Sequence, residues 1–420
     1  MTGEVCVRIG GLVVGALVAC APLASAGQEA AAPPRPFRAG SEATGPRRAL
    51  TVDFAVHEAA GQAEEGQVDG YSTNARLNGT FTARGRYLKF DLAGGTEYRY
   101  YAGSDALADQ GRHGRVGLEA SGRTTRFTVA QTVRQLPFQQ LVGLPSILGD
   151  EVVADTSADH ALDRVPNTVY GTSVAVHRTL GRDGSLMVDY DLGMSRVTGR
   201  PGSQDVHRGG ALFTQRVARS LDLRLGYHAR SRQPGPDATL RPVLSHDIDA
   251  GFAFTRGLSL TRRTNLMFTS GSSILSSDLG RQYVLTGSAG LNHMIGRTWN
   301  ASLTFDRGVE FPDALPTPVV SDRLTLGIGG LWGRRVNLRA RATGGIGNTS
   351  VDEGQYRTFG AELRAAVLVG RRWHWFAEPF YFQHDASGIA VTAGLPAATS
   401  RFGVRTGLDV QLAFLDRRRR

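Results

Sequence analysis

Apolar and polar side chains alternate without interruption along residues 400–414. Phe402, Val404, Thr406, Leu408, Val410, Leu412 and Phe414 share one parity; Arg401, Gly403, Arg405, Gly407, Asp409, Gln411 and Ala413 share the other. Successive strand side chains point to opposite faces, so this stretch predicts a ribbon with one apolar and one charged face. Alternation over this length suits a strand with lipid on one side and water on the other. The same period of two governs Leu50–His57, with Leu50, Val52, Phe54 and Val56 opposed to Thr51, Asp53 and His57. It returns in Tyr71–Phe81, and Leu186–Ser195, Thr298–Asp306 and Arg334–Ala342 alternate without a fault.

The alternating segments are punctuated regularly. Tight basic or Gly-containing turns are predicted near Gly85, Gly122, Arg182, Arg219, Gly257, Arg297, Arg334 and Arg371, at intervals of 37, 60, 37, 38, 40, 37 and 37 residues. Helical repeats share that length, but a period of two makes each unit a hairpin with a short turn at one end and a longer loop at the other. Eight turns join 16 strands, and the segments Leu50–His57 and Ser400–Phe414 bring the number to 18. The expected fold is therefore all-β: a single transmembrane, antiparallel, up-and-down barrel of 16 to 18 strands, with both termini on the short-turn, periplasmic side. Trp299, Trp332 and Trp373 lie next to predicted short turns, and Tyr98 and Tyr100 at the opposite end of their strand. These five are the expected interfacial girdle.

Composition adds the route and the limits. Residues 1–26 read as a secretory signal, with Arg8, an apolar run from Ile9 to Ala19 and Ala24-Ser25-Ala26 before the cut. Leu17-Val18-Ala19-Cys20 offers lipoprotein processing as an alternative. Both cysteines, Cys6 and Cys20, fall in this leader, so a chain cut after Ala26 has no thiol for disulfides, metal or catalysis. Residues 27–48, rich in Ala, Pro and Arg, are expected to be a disordered lead; 49–414 form the barrel and 415–420 a basic periplasmic tail. The net charge of +10 includes the four arginines of that tail. Export and the lack of a nucleic-acid motif speak against nucleic acid as a partner. Outer-membrane lipid is the expected surround.

The interval of 60 marks the long loop Gln135–Asn167. Its first half is apolar, from Leu136-Pro137-Phe138 to Leu148, and its second half carries Asp150, Glu151, Asp155, Asp159 and Asp163. Long loops in compact structures are usually functional or disordered. An inward constriction and an external flap both fit this one. Strand parity sends Arg76, Arg84, Arg339, Arg341, Arg364, Arg401 and Arg405 to the lumen as one basic arc. Asp189, Asp191, Asp222, Asp247 and Asp249 form an opposite acidic arc, interrupted by Arg216, Arg224 and Arg230. Opposed arcs set up a transverse field; solvated wall charges are the plainer reading.

Catalysis has little support. There is no Gly-x-Ser-x-Gly elbow and no His-Glu-x-x-His, and His374 and Glu378 stand on a strand rather than as helix neighbours. No cofactor and no metal are expected.

On these segments the chain from Leu50 to Phe414 resembles a Gram-negative outer-membrane β-barrel. Gly407-Leu408-Asp409-Val410-Gln411-Leu412, closing on Phe414, looks like the terminal signal read by the barrel-assembly machinery, although six residues follow the aromatic. Arg216-Val217-Ala218-Arg219-Ser220-Leu221-Asp222-Leu223 looks like the strand–turn–strand units of porins encoded in exopolysaccharide loci. The resemblance implies a porin-like channel for small hydrophilic, preferentially anionic solutes, with the long loop narrowing the pore as the third external loop does in general porins. It also leaves open an export conduit for an anionic polysaccharide, similar in logic to the alginate exporter. A third possibility is an occluded barrel whose loops bind or hydrolyse.

Overall fold

A computed structural model describes residues 47–63, 70–101, 108–136, 166–197, 203–218, 221–234, 242–254, 264–277, 280–311, 318–349, 354–370, 372–388 and 397–418. The first strands are β1 (Arg47–Ala63), β2 (Gly70–Arg84), β3 (Leu88–Tyr101), β4 (Ala108–Ser121), β5 (Thr125–Leu136) and β6 (Asn167–Leu180). Next come β7 (Gly184–Val197), β8 (Gln204–Ala218), β9 (Leu221–Pro234), β10 (Val243–Phe254), β11 (Thr264–Ser277) and β12 (Gly280–Ile295). The last are β13 (Trp299–Glu310), β14 (Val319–Trp332), β15 (Val336–Thr349), β16 (Gln355–Leu368), β17 (Trp373–Ser387) and β18 (Ala398–Arg418). Each strand pairs antiparallel with its sequence neighbours, and β18 pairs back onto β1, so the 18 strands close into one barrel. Closure removes both free edges of the sheet.

The distribution of burial is inverted relative to a water-soluble protein. Leu77, Val116, Val188, Tyr227, Leu303, Leu326 and Leu363 are exposed, while Asn74, Arg99, Asp189, Asp247, Glu378 and Arg405 are buried. Paired residues lie on the same face, so the ladders fix the sides: Leu303 opposes Leu326 outside, and Asn74 opposes Arg99 inside. The outer face is apolar and the inner face polar. A closed antiparallel barrel with this surface is of the transmembrane type.

Three short turns, after β6, β12 and β14, begin with Gly181, Gly296 and Gly333 at φ of 65–69°. This is a left-handed conformation that only glycine adopts without strain. Several boundaries differ from the sequence expectation. β1 starts at Arg47 and runs to Ala63, well past the alternating segment Leu50–His57. β18 continues past Phe414 to Arg418. The register shifts there, Leu50 facing Leu415 and Thr51 facing Ala413, so Phe414 is the extra residue of a bulge rather than the end of the strand. The turn expected near Gly257 lies outside the described residues, between the end of β10 at Phe254 and the start of β11 at Thr264. On the long-loop side β11 and β12 are separated only by residues 278–279.

Candidate functional site

The lumenal wall is where polar groups concentrate. Arg76 and Arg84 on β2, Arg339 and Arg341 on β15, Arg364 on β16, and Arg401 and Arg405 on β18 all share the inner face. Four carboxylates stand among them, Glu97 of β3 directly opposite Arg76 and three others on β16 to β18. Glu378 of β17 accepts from Arg405 at 2.7 Å and from Arg364 at 3.1 Å; Arg364 also pairs with Asp409, and Glu362 lies 3.8 Å from Arg405. Arg364 lies over the ring of Phe376 at 3.9 Å and Arg405 over Phe380 at 5.0 Å, so the inner face of β17 is aromatic as well as acidic. Arg76, Arg84, Arg339 and Arg341 have no ion-pair partner among the described residues. Arg339 sits directly opposite Arg364, a like-charge pair that the ladder itself disfavours.

The acidic arc has a different character. Asp189 and Asp191 on β7, Asp222 on β9, and Asp247 and Asp249 on β10 face inward. Arg216 holds Asp222 at 3.0 Å and Arg230 holds Asp247 at 2.6 Å. His228 stands between Asp189 at 3.5 Å and Asp249 at 3.7 Å. Its ring lies against Gly210 of β8, where a Cβ would meet it at 2.0 Å. The acidic arc is thus interleaved with its own cations. The basic arc is compensated only in part.

Along the barrel axis the two halves differ. At the long-loop end, inner-face residues such as Ser195, Gln204, Arg232, Ser245, Ser273, Phe382 and His384 are fully closed from solvent. Toward the short turns, Arg84 is exposed and the Lys89–Asp91 pair, at 2.8 Å, is more than one-third exposed. On the side of β8 to β12, part of this closure comes from β13. Its ladder with β12 ends at Gly287–Arg307, although β13 continues to Glu310 and β12 to Gly280. Beyond that rung β13 turns into the lumen together with the start of β14. Val309 and Phe311 join a buried apolar cluster with Val206, Val243, Leu275 and Val284, from β8, β10, β11 and β12. Arg230 donates Nη1–H to the Val309 carbonyl at 2.5 Å, and Phe311 lies under the guanidiniums of Arg230 and Arg232, 5.6 and 5.7 Å away.

Asp150, Glu151, Asp155, Asp159 and Asp163 lie outside the described residues, as does the leader with Cys6 and Cys20. Among the described residues, the segment that enters the lumen is the end of β13. Its signal was available in the sequence: parity places Arg307 on the lipid face just after the regular run Thr298–Asp306. Glu362 and Asp409 were equally legible, since each shares the parity of an arginine on its own strand.

The five residues expected to form the girdle stand on the outer face. Trp299, Trp332 and Trp373 lie at the short-turn end, Trp332 and Trp373 exposed and Trp299 half-buried with its indole N–H donated to the Leu331 carbonyl at 3.1 Å. Tyr98 and Tyr100 are exposed at the long-loop end of β3. In the terminal strand, Gly407 is on the inner face and Val410 on the outer, with Leu412 and Phe414 following in β18. Val410 is buried because Trp373 and Phe54 flank it from both neighbouring strands. His374 and Glu378 share the inner face of β17 with Phe376 between them. Among the described residues no group of three metal-ligating side chains is assembled.

Fold and wall together define a closed transmembrane-type β-barrel with a charged lumen. No protein-family profile and no curated protein matches the chain. Among solved structures it is similar to OccK2 (OpdF) of Pseudomonas aeruginosa, at 11% identity over 88% of this chain and 98% of that one, with a TM-score of 0.47. OccAB1 of Acinetobacter baumannii follows at 11% identity over 87% and 97% of the two chains, TM-score 0.46. The FrpB iron transporter from Neisseria meningitidis is at 10% identity over 87% and 81%, TM-score 0.44. The barrel assignment rests on the closed ladder of this chain itself.

Proposed function

We propose that the protein is an outer-membrane channel for small hydrophilic solutes with a preference for anions. The observation that carries this reading is the unbalanced basic arc. Arg339 faces Arg364 across the ladder, and Arg76, Arg84, Arg339 and Arg341 make no ion pair within 4.0 Å among the described residues, although Glu97 and Glu362 stand opposite Arg76 and Arg341, while the acidic arc is interleaved with Arg216, Arg230 and His228. Such a wall lowers the energy of an anion in the lumen more than that of a cation. An 18-stranded barrel is wide enough to leave an aqueous path unless it is filled. Lipid meets the apolar outer face, and β18 is the strand offered to the assembly machinery.

A second reading, an occluded barrel, is favoured by the closed inner face at the long-loop end. Planar-bilayer conductance of the refolded chain separates the two. Channel activity with anion preference is expected, read as reversal potential in a tenfold salt gradient, whose ideal limit is about 59 mV. Replacing Arg339 and Arg341 together by Gln moves that potential toward the cation side. Silence from a demonstrably folded barrel establishes the occluded reading. Block by an acidic polysaccharide, relieved in the double variant, establishes the polymer conduit instead.

A further inference from the structure

We propose that the inward end of β13 occupies a binding site for an amphipathic anion, a compound with an apolar tail and one acidic head, reached from the membrane through the gap between β12 and β13. The proposal rests on the lipid-facing reading of the outer wall but not on conduction.

Three features converge. The first is the gap. The β12–β13 ladder stops at Gly287–Arg307, whereas β12 stays paired with β11 up to Gly280. The outward side chains beside the gap, Tyr283 at 76% and Leu285 at 74%, are the most exposed large apolar residues of the described chain. Hydrocarbon could not satisfy backbone groups left without rungs. This edge lies at the long-loop end, at headgroup level, where water reaches it and where the polar head of an amphiphile resides.

The second feature is an apolar patch on a wall that should be polar. Val206, Val243, Leu275 and Val284 all have inward parity, and Val284 belongs to the strand that borders the gap. On a water-filled lumen such a patch is unfavourable unless something apolar covers it. From β12 to β9 is three strand spacings, about 14 Å, the reach of a chain of roughly ten carbons.

Charge supplies the third. At the far end of the patch stand Arg208, Arg230 and Arg232, with Arg208 directly opposite Arg230; Arg230 gives Nε and Nη2 to Asp247 and turns Nη1 toward the patch. The chain's own tip shows what these groups accept. The Val309 carbonyl oxygen takes Nη1 of Arg230, and the apolar bodies of Val309 and Phe311 cover the patch. An oxygen acceptor at Arg230 and an apolar body on the valines is the pattern of a medium-chain carboxylate. The tip is then an internal competitor, and uptake of the amphiphile displaces it.

The test uses the full chain in lipid nanodiscs, titrated calorimetrically with decanoate against empty discs, with butyrate and succinate as short controls. Saturable decanoate binding above the empty-disc background is expected, with neither control matching it. Arg230→Gln removes a charge-assisted hydrogen bond and weakens binding about tenfold or more. Leu275→Asn weakens it as well. Phe311→Ala is the discriminating variant, since removing the competitor tightens binding, whereas a purely structural Phe311 gives no gain. Decanoate indistinguishable from the background, butyrate binding equally well, or Phe311→Ala without tighter binding overturns the proposal. Conductance of the same preparations keeps the two readings apart. A conducting barrel that ignores decanoate refutes the amphiphile site alone, and a silent barrel that binds it refutes the channel alone.

Discussion

Two junctions in the barrel wall invert the usual relation between sequence distance and structure. β1 and β18 come from opposite ends of the chain, yet their ladder runs the whole strand, from Arg47–Arg418 to Ala63–Arg401, with one bulge. β12 and β13 are joined by residues 296–298, the most local contact a hairpin offers, yet their ladder opens at Gly287–Arg307. Loop-closure entropy would favour the opposite outcome. What decides is the destination of each strand end. The end of β13 carries Val309 and Phe311, which find an apolar patch and two guanidiniums inside the lumen. β18 carries alternating groups with no such alternative, and pairing with β1 completes the wall.

The largest expected effect breaks one junction and spares the other. Leu408 is paired on both sides, with Val56 of β1 and Trp375 of β17. Leu408→Pro removes a ladder donor inside the membrane and leaves an unmet acceptor at several kcal/mol, so no folded, heat-resistant barrel is expected on a semi-native gel. Leu285 differs. Its carbonyl accepts Nε–H of Arg307 at 3.1 Å, so it faces the gap, and the N–H of a strand residue points the same way as its carbonyl. Leu285→Pro therefore removes no rung, and the folded band persists. Equal loss in both variants means that the gap is closed in solution.

A smaller effect probes why the closing region holds. Glu378 is buried beside β18 and serves both Arg364 and Arg405. Glu378→Gln leaves two guanidiniums on a wall with one carboxylate fewer. A loss of about 3 kcal/mol is expected from urea unfolding in vesicles, since removing one member of a buried pair strands the other. The same variant shifts the reversal potential further toward anions. Stability unchanged by Glu378→Gln shows that the backbone ladder alone secures this side.

How much of this was legible in the sequence follows from what alternation can encode. Period two reports faces, so the parity of Arg405, Asp189 and Leu303 led directly to inner and outer walls, and the spacing of turns led to 18 strands. Parity says nothing of what lies across a ladder. Arg339 meets Arg364, and Glu378 reaches Arg405, through register between strands. Strand ends were the weakest point, because a bulge at Phe414 and a polar continuation at Glu58 leave no mark on a two-residue pattern. The departure of β13 from the wall showed only as an arginine on the wrong face.

That arginine offers the finest test of the comparison. Arg307 bolts the last rung from outside, with Nη1 on both oxygens of Asp322 at 3.1 and 3.2 Å and Nε on the Leu285 carbonyl. Both charged partners are substantially exposed, so the pair stabilises the fold by at most about 1 kcal/mol. Arg307→Gln should therefore barely move global unfolding, yet hydrogen exchange at Gly308–Glu310 should quicken because β13 is freed from β12. Arg307→Lys keeps the charge but lacks the fork that spans Asp322 and Leu285, and it should exchange nearly as fast. Amides near Val56 and Leu408 serve as the internal reference and stay slow. Acceleration at both junctions together would mean that the wall opens as one unit. Acceleration confined to β13 makes the gap a local hinge in a barrel whose true closure lies at its termini.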